Sequence, residues 1–140
     1  MIKTVKVFEA GSAISDVILE NTAQNVVWGE DCADLGVIMP CYIGDVSGEY
    51  VMLLAPQKTI FCEAKKVITY GMAPNNDITL SSVGEERCVM TVQKEICDLW
   101  GNIIEPQDIV ISRMHLEPAS AMAVAAALLI TGADRKLWVI

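Results

Sequence analysis

Residues 117–134 read EPASAMAVAAALLITGAD. Pro118 suits the first turn of a helix, where its missing N–H would have no partner anyway. Glu117 complements the positive end of that helix, and Gly132 suits the position just past its end. From Ala119 to Ile130 the residues are small or apolar almost without interruption. A helix without a polar face is buried on several sides, and its alanines let a neighbouring backbone come close. The rest of the chain must therefore supply an enclosure. One chain of 140 residues hardly covers every face of a terminal helix. The expectation is a homo-oligomer or a protein partner docked on this helix and on the apolar tail RKLWVI (residues 135–140).

Upstream, short β-branched runs alternate with helix-like segments. KTVKVFEA (residues 3–10), NVVW (25–28), DLGVIMP (34–40), EYVMLLA (49–55) and KKVITYG (65–71) read as strands. SAISDVILENT (12–22) carries Ile14, Val17 and Ile18 at helical spacing, with Gly11 and Ser12 as turn and N-cap. PQKTIFCEA (56–64) reads as a short helix with proline in its first turn, and residues 40–48 read as a loop. Strands alternating with helices imply a parallel sheet. NDITLSSV (76–83), RCVMTVQKEICDLWG (87–101) and DIVISRM (108–114) then follow without an intervening helix, as an antiparallel set. The fold expected is one α/β domain over residues 1–140. It has a mainly parallel sheet with helices in the N-terminal half, antiparallel strands over about residues 75–112, and the C-terminal alanine-rich helix. Val5, Val7, Val37, Val51, Leu53, Val67 and Ile68 are its expected core.

Composition narrows the function. The chain is 53% hydrophobic with a net charge of −8. That excludes a disordered segment and argues against nucleic acid, which needs clustered cations. The basic residues look scattered, with Lys65 and Lys66 the only adjacent lysines. The apolar run of residues 119–130 falls short of the ~20 residues of a membrane span. Lys3 and Lys6 are followed by Phe8, Glu9 and Gly11 rather than by the apolar run of a signal peptide. Cys32, Cys41, Cys62, Cys88 and Cys97 include no CxxC pair, so they read as free buried thiols of a cytoplasmic protein. No metal site and no cofactor are expected from them.

The order of motifs resembles the C-terminal part of the central ATPase domain of the Mur ligases, which join amino acids to peptidoglycan precursors. KKVITYG resembles that family's strand before a small antiparallel sheet, and SAMAVAAALLITGAD resembles its alanine-rich helix. ADLGVIMPCYIGD resembles the strand before a metal-binding Asp-His, and VFEAGSA the family's glutamate-bearing strand. The resemblance covers about residues 50–134 and, more faintly, the rest of the chain. The family's GxxxxGK[ST] loop, which holds ATP phosphates, does not occur. Its HN-x-x-N segment becomes HLEPAS, and its Asp-His pair becomes at best Gly44-Asp45. The resemblance thus implies a scaffold without ligase chemistry or tight ATP binding.

Two functional readings follow. The first is a non-catalytic domain acting as a subunit, regulator or scaffold. The second is a small-molecule-binding or small enzymatic domain. Its candidate site is the polar stretch after KKVITYG, with Tyr70, Gly71, Asn75, Asn76 and Ser82, joined by Arg113 and the single histidine, His115. In open α/β sheets ligands bind beyond the carboxyl ends of strands. The acidic groups Glu30, Asp31, Asp34, Glu85 and Glu86 read as solvated turn residues.

Overall fold

The structure is a computed structural model, and it describes residues 3–8, 26–28, 33–40, 44–54 and 60–140, without the side chains of residues 26–28, 44–49, 53–54, 60–63 and 137. Eight strands form one mixed sheet. They are β1 (Lys3–Phe8), β2 (Val26–Trp28), β3 (Leu35–Ile38), β4 (Gly44–Leu54), β5 (Ile60–Tyr70), β6 (Ile78–Val83), β7 (Arg87–Val92) and, after a small hairpin, β10 (Gln107–Ser112). The hairpin is β8 (Ile96–Cys97) with β9 (Ile103–Ile104). The sheet order is β10-β7-β6-β5-β4-β3-β1-β2. Pairing is parallel from β2 to β6 and antiparallel among β6, β7 and β10. The one α-helix among the described residues is α1 (Pro118–Ile130).

The expected α/β class, with helices in the N-terminal half, is overturned. Strands dominate a curled mixed sheet. Ile60, Phe61, Cys62, Glu63 and Ala64 of the expected short helix lie in β5, and Gly44 to Gly48 of the expected loop lie in β4. The helix expected over residues 12–22 lies outside the described residues. The reason is the way β4 meets β5. Gly44 pairs with Ile60 and Leu54 with Tyr70, so each residue of β4 neighbours the one sixteen positions later. Leu35 likewise neighbours Tyr50. A straight strand of this length would run ~33 Å. The five residues between Leu54 and Ile60 bridge at most ~22 Å. The strands therefore bend, and the ladder is interrupted at Glu49 and Lys65. A strand that turns a corner ends near the start of its neighbour. Parallel pairing then needs no helical crossover, which normally requires a dozen or more residues.

The bent sheet makes room for α1. Residues Ala121 through Ile130 are all buried by the chain itself. The helix packs on β3, β4 and β6. Its C-terminus is closed by a double turn: Ala133 N–H donates to Leu128 O and Gly132 N–H to Leu129 O, with Gly132 at φ 71°. This is the Schellman arrangement, which favours glycine at that position. Thr131 Oγ1 donates to Ala127 O at 2.8 Å. The β8–β9 hairpin covers this end, with Leu99 N–H donating to Ile130 O. Trp100 lies 3.5 Å from where a Gly132 side chain would begin. The apolar helix thus needs no second subunit to cover it.

Because one face of β5 joins the core and the other does not, burial alternates there. Ile68 and Tyr70 are buried, whereas Val67 is 45% exposed. Val67 is a correction to the expected core. Val5, Val7, Val37 and Val51 are buried, and the side chain of Leu53 lies outside the described set. The apolar tail is not a free sticky end either. Trp138 is 2% exposed, and Val139 forms a bridge with Ile111 on the outer edge of β10.

Candidate functional site

The polar residues singled out from sequence separate into two places. Tyr70 is buried and its hydroxyl donates to Ile38 O. Gly71 N–H donates to Ile78 O, and Asn76 is buried with its carbonyl accepting from Gln93 Nε2. Asn75 is exposed, its carbonyl accepting from Lys94 Nζ. These four sit at the start of β6. Ser82 is exposed near the end of β6, beside the turn that Arg113 clasps. Arg113 Nη1 donates to Gly84 O, and its Nε and Nη2 donate to Leu116 O. His115 is exposed, and both it and Met114 have left-handed backbones, at φ 58° and 54°. β6 holds the two groups ~17 Å apart, so they do not converge on one ligand.

The other sequence candidates are equally dispersed. Glu85 and Glu86 are exposed in the β6–β7 turn. Cys88 is buried on β7 and Cys97 half-buried on β8. Cys32, Cys41, Glu30 and Asp31, and the side chain of Cys62, lie outside the described set. Among the described residues no three His, Cys, Asp or Glu side chains gather as a metal site would require. No helix among them is long and apolar enough to cross a membrane.

A different site forms where the strands turn. Val5, Leu35, Tyr50 and Lys66 stand side by side across β1, β3, β4 and β5. At this row lies an open cleft of about 470 Å³, lined by Lys3, Asp34, Tyr50, Lys65, Lys66 and Leu99. Three of the seven lysines of an acidic chain therefore meet in one place. Tyr50 forms its wall. The Tyr50 hydroxyl donates to Cys97 O at 2.7 Å, tying β4 to the β8–β9 hairpin. The Lys66 ammonium lies 5.3 Å over the Tyr50 ring, a cation–π contact.

Asp34 is positioned by a reciprocal pair with Thr4. Thr4 N–H and Oγ1–H donate to Asp34 Oδ2 at 2.9 and 3.2 Å, and Asp34 N–H donates to Thr4 Oγ1 at 3.0 Å. Thr69 and Asp77 repeat the arrangement where β5 meets β6. In both places an aspartate just ahead of a strand locks a parallel register.

Sequence reading missed this cleft because Lys3 and Lys65 are far apart along the chain. A signal was present: KTVKVF and KKVITY both open on lysine. Once the parallel register is read, Lys3, two residues before Val5, and Lys66, in the middle of β5, fall near one row of the sheet.

Burial raises the pKa of Tyr70 above the ordinary value near 10. It does the same for Tyr50, with smaller contributions from Cys97, Asp77 and Asp98. The folded state thus holds these phenolic protons more tightly than the unfolded chain. Their stabilisation is complete below about pH 10 and is lost as pH rises above it. Equilibrium unfolding in urea should show falling stability from pH 10 upward. Tyr70→Phe should flatten that fall, and an unchanged pH profile would contradict the burial.

No protein-family model, curated protein or solved structure matches the chain.

Proposed function

We propose that the protein acts by binding, as a non-catalytic regulatory or scaffolding domain whose cleft takes a small anion. The observation that carries this reading is the convergence of Lys3, Lys65 and Lys66 around Tyr50 in a chain of net charge −8. Ammonium groups lining one open cleft attract an anionic ligand. The cleft volume falls within the range of small-ligand sites, roughly 300–1,000 Å³.

Binding is favoured over catalysis by the state of the groups present. The Tyr50 phenol is engaged with Cys97 O and held protonated. One Asp34 oxygen is committed to Thr4. General acid–base work needs a group with a pKa near the working pH, and these two are held to structural tasks. Self-association belongs to the proposal only through exposed residues such as Ile140, 58% exposed, since α1 is already covered.

Titration with inorganic pyrophosphate, followed by isothermal calorimetry and amide chemical shifts, tests the reading. Saturable binding that weakens with salt is expected. The double variant Lys65→Glu, Lys66→Glu should lose at least about tenfold in affinity. Its melting temperature should hold, because exposed substitutions usually change stability by under about 0.5 kcal/mol each. Equal affinity in the variant would discard the cleft as the site.

A further inference from the structure

We infer that the β8–β9 hairpin is a strap tied to the cleft by Tyr50, so that a ligand in the cleft holds the hairpin closed over the end of α1. The inference rests on the anion-binding reading above and adds how that site is regulated. Tyr50 touches both parties. Its ring lines the cleft with the Lys66 ammonium 5.3 Å over it, and its hydroxyl donates to Cys97 O at 2.7 Å. Leu99, two residues further along the hairpin, lines the cleft itself. The cleft therefore has walls from the main sheet and a wall from the hairpin. A ligand that fills it meets the hairpin wall only when the hairpin is down.

The hairpin is organised to move as a unit. β8 and β9 form a two-stranded sheet of their own, apart from the eight-stranded one. A two-stranded hairpin is marginally stable alone, so its position depends on what holds it down. Residues 97–102 are shaped from within. Asp98 Oδ1 accepts from Trp100 N–H and Asn102 N–H at 2.8 and 2.9 Å, and Asp98 Oδ2 accepts from Asn102 Nδ2 at 3.0 Å. Asp98 N–H donates to Asn102 O at 2.9 Å. The tip thus keeps its shape when its ties to the body are released. Those ties include the Tyr50 hydroxyl and the bond from Leu99 N–H to Ile130 O at 3.1 Å, on the last turn of α1. Ile96 and Ile104 pair at the base and are buried, which makes them the pivot. Lifting the tip about them takes Leu99 from the cleft and uncovers the last turn of α1 together. A ligand that binds the closed form more tightly shifts this equilibrium by its difference in affinity.

Amide hydrogen exchange of the intact protein, with and without saturating inorganic pyrophosphate, tests the link. Without ligand, Leu99 N–H should exchange faster than Met90 N–H, which lies between β6 and β10 in the main sheet. Its rate should also be insensitive to low urea, as for a local opening. Saturating pyrophosphate should slow Leu99 about tenfold, within the usual span of coupling between sites. Tyr50→Phe keeps the ring and removes the hydroxyl. In the free variant the local opening at Leu99 should be about fivefold more frequent, the worth of one hydrogen bond. A hydroxyl that serves only global stability would speed Met90 and leave the local opening at Leu99 unchanged, against the inference. If wild-type Leu99 exchanges with the rate and urea dependence of Met90, the hairpin has no opening of its own and the inference is overturned. A local opening that pyrophosphate leaves unchanged, while calorimetry shows it bound, would overturn the coupling and leave anion binding standing. No binding in calorimetry would overturn both readings.

Discussion

Ile68→Asp should prevent folding, whereas Val67→Asp, one residue earlier, should leave a folded protein. The two residues are neighbours on β5 with similar side chains, and sequence gives both the same expectation. Ile68 is 2% exposed in the core around α1. An aspartate there meets no cation among the described core residues, and an uncompensated buried charge costs several kcal/mol. That is a large share of the ~5–15 kcal/mol that holds a domain together. Val67 points outward at 45% exposure, so a carboxylate stays in water. Its cost is limited to lost strand preference, up to about 1 kcal/mol. Circular dichroism and urea unfolding of the two variants decide the matter. A folded Ile68→Asp protein, or an unfolded Val67→Asp protein, would mean that the inward face of β5 is misassigned.

Deleting Trp138, Val139 and Ile140 should destabilise the isolated domain rather than merely alter its association. Trp138 is part of the core, and loss of such a side chain costs about 3–5 kcal/mol. The deletion also removes the bonds from Ser112 N–H to Trp138 O at 3.1 Å and from Ile140 N–H to Val110 O at 2.8 Å. The edge of β10 would then be open to pairing with another chain. Trp138→Phe should behave differently. The Trp138 indole N–H has no hydrogen-bond partner among the described residues, so phenylalanine keeps most of the packing and removes a buried unsatisfied donor. Its stability should lie within about 1.5 kcal/mol of wild type. Thermal melts with light scattering would separate the cases. A truncated protein that melts like the intact one would show that the tail is dispensable to the core.

The candidate site was less legible than the elements that carry it. The stretch 70–82 stood out as polar, yet Tyr70 and Asn76 turned out to be buried structural groups. Their side chains and backbones complete turns, and composition cannot tell a turn-forming asparagine from a ligand-binding one. The lysines were discounted as scattered, because adjacency along the chain was the only proximity visible. Lys3 reaches Lys66 through the pairing of β1 with β3, β3 with β4 and β4 with β5. That proximity is a property of register.

What the sequence determined by itself was local. Proline at the start of α1, glycine just past its end and unbroken small apolar residues between them specify a helix that must be enclosed, because capping and burial act over a few residues. Alternation in DIVIS and RCVMTV specifies strands for the same reason. Only the tertiary structure decided what encloses the helix. A five-residue link between β4 and β5 is compatible with a tight turn, a crossover or a bent strand, and the choice depends on whether the strand can bend. Once β4 and β5 bend, one face of the sheet wraps α1, and the opposite face meets water at Val67 on β5 while β3 is buried on both faces. That single geometric fact buries Ile68, exposes Val67 and brings three lysines together at one corner, because side-chain direction in a strand is settled by the face its neighbours cover.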